Sequence, residues 1–249
     1  METQTKSNKL SIPMAIIIVG ILIAGAVYFS STSKPVNTAP KNTGIPVTTN
    51  TLTPVGAADR TLGNPNAKVT LVMYEDFQCI FCGAIAGVQP ALIQSLKQQN
   101  PGWAPFMPEV INNYVKSGNV QLVYRDWAFL GPESVRATEA ARCAGDQGKF
   151  WNYHDYLFAH QAEENKGNFS DANLKSFAKS LSLDTTSFDK CLDSDKYAQA
   201  VADSKTEGEG AGVTGTPKGF ILRDNKIIST IDGAEPLTTV KQKLDFALK

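Results

Sequence analysis

Apolar and polar positions change rhythm four times along this chain. Residues 12–29, IPMAIIIVGILIAGAVYF, form an uncharged run of eighteen. At about 1.5 Å per residue this is long enough to cross a bilayer, and it exceeds the ~7–15 apolar residues of a cleaved signal peptide. The triplet Ala24-Gly25-Ala26, of cleavable type, lies inside the run. An uncleaved signal anchor over 12–29 is therefore expected, behind a short cytoplasmic N-terminus, 1–11. Residues 30–60 are rich in Ser, Thr, Asn and Pro and hold only isolated large apolar residues. Such a stretch cannot bury enough surface to fold, so it reads as a flexible linker with a reach of roughly 30 Å.

From residue 61 the pattern is that of a folded head. Thr61 to Asn66 is a turn cluster, and Val69–Met73 a continuous apolar run that predicts a buried strand. Phe81, Ile85, Val88, Leu92 and Leu96 recur at helical spacing and predict one helix over 79–98, kinked at Pro90. A short helix is predicted from Pro108, and a second strand over 120–127. Between Pro132 and about Gly210 the period stays helical, predicting helices at 133–144, 149–160, 171–181, 185–192 and 195–209. Ser170, Asp184 and Ser194 are the expected N-caps of the last three. The aromatics Phe150, Trp151, Tyr153, Tyr156 and Phe158 read as the core of this helical insert, with His154 and His160 on or near its surface. Strands at 219–222 and 226–231 around an Asp224-Asn225 turn form a hairpin, and a helix over 236–248 closes the chain.

Composition narrows the function. With 42% hydrophobic residues and a formal net charge of zero over 249 residues, the chain can build one core of about 190 residues. It has no basic stripe, so nucleic acid is not implied. Lys6 and Lys9 before the apolar run are nearly balanced by Lys34 and Lys41 after it, which leaves orientation open on charge alone. The four cysteines decide it. An even set in a chain that enters the secretory route implies an oxidising compartment, so the head should face the periplasm or the cell exterior.

Cys79-Ile80-Phe81-Cys82 stands where a strand hands over to a helix. Unpaired N–H groups and the helix dipole favour negative charge there, lowering the Cys79 thiol pKa and making it both nucleophile and leaving group. Cys82 is placed to resolve the bond. A zinc site would need about four ligands, and neither a second C-x-x-C nor converging histidines is present, so no metal is implied. A purely structural bond across four residues would contribute only roughly 2 kcal/mol. Cys143 and Cys191, on two helices of the insert, are expected to pair as a structural disulfide, although four cysteines allow three pairings.

Three features together, Cys79-Ile80-Phe81-Cys82, Gly215-Thr216-Pro217 and the order strand–helix–strand, helices, hairpin–helix, resemble the DsbA-like thiol:disulfide oxidoreductases of the thioredoxin superfamily. The segments Asp76-Phe77-Gln78-Cys79, Phe129-Leu130-Gly131-Pro132-Glu133-Ser134 and Gly148-Lys149-Phe150-Trp151 look like its membrane-anchored or secreted bacterial branch. The resemblance covers about Leu62 to Lys249. It implies an α/β thioredoxin-like fold, a central mixed sheet flanked by helices, over 61–249 with a helical insertion at about 132–210. It also implies a cis Pro217 beside a redox-active Cys79–Cys82 disulfide, and a Thr216 backbone that pairs with an extended substrate. The implied partners are reduced secreted proteins and a membrane quinone-linked protein that reoxidises the dithiol; no cofactor is implied.

This sequence departs from the family pattern at several positions. Ile80 stands where proline is common, so with Phe81 it is a candidate for tuning the dithiol. Met73 occupies the place of a frequent buried acid, with Glu75 two residues on; Glu75 is either a proton acceptor for Cys82 or a solvated strand-end charge. Lys218 puts a cation after Pro217, where it either favours the Cys79 thiolate or only adds charge to the groove. Residues 98–108 are longer than the family pattern. The function expected is donation of the Cys79–Cys82 disulfide to secreted or periplasmic proteins. Three alternatives stand beside it: a reductase or isomerase using the same residues, a redox-inert peptide-binding module at Thr216–Pro217, and a copper or zinc chaperone.

Overall fold

The computed structural model describes residues 52–249; the anchor expected at 12–29 and the linker as far as residue 51 lie outside the described residues. Among the described residues no single helix is long and apolar enough to cross a membrane. Five strands form one mixed sheet, in the order β1-β3-β2-β4-β5. They are β1 (Arg60–Leu62), β2 (Val69–Glu75), β3 (Val120–Asp126), β4 (Lys218–Arg223) and β5 (Lys226–Asp232). The central pair β2 and β3 runs parallel, from Val69 opposite Val120 to Glu75 opposite Asp126. The other three pairings are antiparallel. Every residue of β3 and all but one of β2 are buried, as expected for strands covered on both faces. The hairpin between β4 and β5 turns on Asp224 and Asn225, both at positive φ (51° and 60°), which short polar side chains tolerate.

The single helix predicted behind Cys79 is two. α1 (Ile80–Ala86) ends at Gly87, whose φ of 90° is left-handed, and α2 (Pro90–Gln99) starts afresh with Pro90 at its first turn. The axes differ by 83°. Proline at the first helical position is a start signal as much as an interior kink, and Gly87 three residues earlier supplies the stop. Within α1, Phe81 is 42% exposed while Ile85 is fully buried. The helix expected from Pro108 begins as α3 (Met107–Glu109) and continues as a π-helical stretch (Val110–Val115). The long segment at 98–108 is anchored by buried Trp103 and Phe106, with the Trp103 indole N–H donating to Ala234 O at 2.8 Å.

The insert consists of α4 (Pro132–Gly145), α5 (Phe150–Ala159), α6 (Asp171–Ser180), α7 (Thr185–Asp193) and α8 (Ala198–Gly210), and α9 (Leu237–Leu248) follows the hairpin. Asp184 caps α7, accepting from Ser187 N at 2.7 Å. Ser170 precedes α6 without a side-chain capping bond. Ser194 caps no helix N-terminus: α8 begins only at Ala198 with Tyr197 before it. The aromatics of α5 do form core, but that core is shared. Tyr153, Phe158 and Phe150 lie in one apolar cluster with Phe77, Tyr124, Cys79 and Cys82. His154 is buried, contrary to its expected surface position. One face of α5 carries Phe150, His154 and Phe158, and it packs on Phe77 and Tyr124, which meet the His154 ring at 5.6 and 5.1 Å.

The linker expected over 30–60 is not free to its end. Leu52 and Val55 pack against the cluster of Val72, Tyr74 and Val123. Arg125, nearly buried, donates to Thr53 O at 2.9 Å and Pro54 O at 3.3 Å, and pairs with Asp59 at 2.8 Å and Glu207 at 3.0 Å. A buried guanidinium needs its donors matched, and backbone carbonyls of the last linker residues supply two acceptors.

Cys143 on α4 and Cys191 on α7 are disulfide-bonded across a sequence separation of 48. A cross-link over that separation restricts the unfolded chain by about 4 kcal/mol on the chain-entropy model. Replacing both cysteines by alanine should cost the head a large part of that in urea unfolding, with thiol reagents still reaching Cys79.

Candidate active site

β2 delivers the chain to the site in an extended run, and Asp76 makes the turn. Its carboxylate is fully buried. It accepts from Gln78 N at 2.8 Å, Ser134 Oγ at 2.7 Å, Phe129 N at 2.9 Å and Leu130 N at 3.1 Å. One side chain thus ties the turn before Cys79 to the loop after β3 and the start of α4. Cys79 N closes the turn on Asp76 O at 3.0 Å, and Cys79 then stands in the N-cap position of α1 with extended backbone. Gln78 donates to Ser134 Oγ at 2.9 Å and accepts from Asn165 N at 2.7 Å. Gln161, from the loop after α5, donates to Phe77 O at 2.7 Å and Cys79 O at 3.0 Å. A Cβ on Gly83 would collide with Gln161 Oε1, so a larger residue there would drive Gln161 off the turn.

Cys79 and Cys82 are both reduced and buried. The Thr216–Pro217 peptide is cis, and the Cys79 thiol lies 3.4 Å from Thr216 O. The cysteine pKa values are driven apart. Donation from the Cys82 thiol to the Cys79 sulfur lowers the Cys79 pKa most; burial opposes it, and the Thr216 hydroxyl and the N–H groups of Cys82 and Phe81 lower it further, to about 7. The Thr216 hydroxyl is buried and makes no hydrogen bond among the described residues, which leaves it free to donate to a thiolate at position 79. Cys82 moves the other way: burial pushes its thiol well up, reinforced by its bond to Cys79 and by the charges of Cys79 and Glu75. This is the asymmetry of an attacking thiol and a buried resolving thiol.

Of the two readings left open for Glu75, the solvated charge is excluded. Glu75 is 3% exposed, and burial first, then the charges of Cys79 and Asp155, pushes its carboxyl up to about 8. It therefore holds a proton at neutral pH. An acid with its folded pKa raised contributes stability in full below the ordinary carboxyl pKa and loses it as pH rises towards 8. Glu75→Gln keeps the shape of the protonated acid and does not titrate. The reduced variant should match wild type near pH 4 and exceed its stability by about 3 kcal/mol at pH 7. Denaturation at the two pH values checks this, and a difference that does not change with pH contradicts it.

Lys218 pairs with Asp232 on β5 and lies over the Phe220 ring at 5.3 Å, so its charge is partly neutralised within the sheet edge. Ile80 and Phe81 are 41% and 42% exposed, giving the rim of the site an apolar surface. Among the described residues no three His, Cys, Asp or Glu side chains converge as metal ligands would. Nothing in the local sequence marks Gln161 or Asn165 as site residues; Asp76 and Gln78 stand in the stretch resembling the DsbA-like family, the one signal the sequence carries for them.

A family model described as "Thioredoxin" matches residues 103–242, taking in the insert and the hairpin but starting after the Cys79–Cys82 turn. A Na(+)/H(+) antiporter NhaA 1 of Salinispora arenicola is 31% identical over 165 residues, 66% of this chain and 21% of that protein. The chain thus spans about a fifth of the length of that relative. A probable disulfide bond formation protein D of Bacillus cereus is 22% identical over 170 residues, covering 66% of this chain and 70% of its own. Among solved structures, alpha-DsbA1 of Wolbachia pipientis superposes with a TM-score of 0.64 at 21% identity, covering 80% of this chain and 95% of its own. Oxidised BdbD of Bacillus subtilis does so at 0.61 and 20% identity, covering 76% and 92%. These likenesses establish a shared fold.

Proposed function

The chain belongs to the thioredoxin family, and from that premise we propose that it is a thiol:disulfide oxidoreductase that donates its Cys79–Cys82 disulfide to reduced secreted or periplasmic proteins. The observation that carries the reading is the placement of the two thiols: Cys79 in the N-cap position of α1, 3.4 Å from Thr216 O, and Cys82 fully buried one turn on, which drives their pKa values apart. A substrate thiolate attacks Cys79 Sγ; the Cys79–Cys82 bond breaks, and Cys82 leaves and takes up a proton. Glu75, protonated at neutral pH, is the group from which that proton can come. A second substrate thiolate then attacks the substrate sulfur of the mixed disulfide, and Cys79 leaves as the thiolate. Two electrons pass from the substrate dithiol to the enzyme; the substrate's two thiol protons go to solvent, and solvent returns to Glu75 the proton it gave to Cys82.

A low leaving-group pKa speeds the second step, and a stabilised thiolate favours the reduced form, so the disulfide is an oxidant. Exposed Ile80 and Phe81 offer apolar contact to unfolded chains, and the Thr216 backbone serves as a short strand partner for them. The apolar run at 12–29 and the linker would hold the head at a membrane surface, where a quinone-linked partner returns the dithiol to the disulfide. The test is disulfide transfer from the oxidised protein to a reduced, unfolded protein, followed with the stability of both redox forms. Transfer with a less stable oxidised form supports the oxidase; a more stable oxidised form points to reduction instead.

A further inference from the structure

A cavity of about 420 Å³ opens between the sheet, α5 and the π-helical stretch, walled by Tyr124, Trp151, Phe158 and Ile111 among other apolar side chains. That is within the range of small-molecule sites and far larger than the voids that close packing leaves. Glu75 lines it, 97% buried by its 3% exposure, and no hydrogen bond from the described residues is among the influences on its carboxyl. A carboxyl that lines open space without a protein partner is available to a ligand. Asp155 also lines the cavity, while no Lys or Arg does so among the described residues. His154 is engaged with Asp155, its Nδ1 2.9 Å from the carboxylate. The charges around Glu75 are thus acidic: Asp155 from α5, and the thiols of Cys79 and Cys82 from the α1 side.

We propose that this cavity binds a hydrophobic ammonium ion, an aryl- or alkylamine whose charged end sits at Glu75 and Asp155 and whose apolar body lies against Tyr124, Trp151 and Phe158. An anion would meet the Asp155 carboxylate and no Lys or Arg among the described lining residues, and a neutral apolar ligand would leave Glu75 unpaired. An ammonium satisfies the acid and is attracted to the aromatic faces as well. The site is read from binding alone, without thiol chemistry, and so stands or falls separately from the exchange reaction.

Calorimetry on the full-length chain at pH 7, with phenylbutylamine and its neutral counterpart phenylbutanol as probes, tests the proposal. The amine should bind at least about tenfold more tightly than the alcohol, a difference of roughly 1.4 kcal/mol. Because Glu75 is protonated when free, amine binding to the reduced protein should release close to one proton, read from buffers of different ionisation enthalpy. Glu75→Gln, which preserves the shape of the protonated acid, should abolish both the preference and the proton release. Binding of neither probe, equal binding of the two by wild type, or a preference that survives Glu75→Gln overturns the proposal. The proton count needs no variant, so it holds even if a substitution disturbs folding.

Discussion

Cys79→Ser protein should transfer no disulfide above the background of the buffer, a loss of at least about three orders of magnitude. A hydroxyl in place of the thiol is neither ionised near neutral pH nor able to form the mixed disulfide. Cys82→Ser has a different expected outcome. Cys79 keeps its helix N-terminus and its Thr216 contact, so it should still attack disulfides, but the mixed product should accumulate because nothing resolves it. The two Cys82 variants should also differ from each other. Donation from the Cys82 side chain is the largest cause of the low Cys79 pKa, and serine retains a donor where alanine does not. Cys82→Ala should therefore raise the Cys79 pKa more than Cys82→Ser. Mass spectrometry of trapped adducts and the pH dependence of alkylation read these outcomes. Accumulation of adducts on Cys82 in the Cys79→Ser protein would assign the nucleophile to the wrong sulfur.

The second large effect is expected at Asp76. Its two oxygens accept three backbone N–H bonds and one hydroxyl bond, all from buried or part-buried groups. Asp76→Ala leaves those donors without partners, at about 1–3 kcal/mol each where water cannot reach them. Partial relaxation makes the sum smaller, so a loss of roughly 3–5 kcal/mol in denaturant unfolding is the expected result. Asp76→Asn, which keeps one acceptor oxygen, should lose less. Because the Asp76 carboxylate accepts from Gln78 N directly before Cys79, the alanine variant should loosen the turn that leads into α1. Cys79 alkylation should then shift towards the pH dependence of an ordinary thiol.

These two sites differ in how far the sequence alone reveals them. Cys79 and Cys82 were legible because their chemistry depends on local order: an apolar strand, a C-x-x-C and a helix within some fifteen residues of sequence. The cis Thr216–Pro217 peptide lies far along the chain and came from resemblance, since a Thr-Pro alone reads as a turn. Asp76 has its partners at 129, 130 and 134, and Gln161 reaches back to 77 and 79. Such pairings exist only once β3 and the insert have been laid against β2, and periodicity carries no trace of them. The burial of His154 is hidden from the sequence for a related reason. A helical period says which residues share a face, but the sheet end that covers that face is a tertiary fact. The break at Gly87 was readable in principle, since glycine followed by Pro90 is a stop and a start, yet the apolar spacing ran through it and concealed it.

A stabilised sulfur anion at position 79 underlies the proposed exchange, and ultraviolet titration of the thiolate in the reduced protein detects it. A first ionisation near pH 7, assigned to Cys79 by its disappearance in Cys79→Ser and followed by a second only at strongly alkaline pH, is the predicted result. Two thiols ionising together near the ordinary ~8.5 would contradict it.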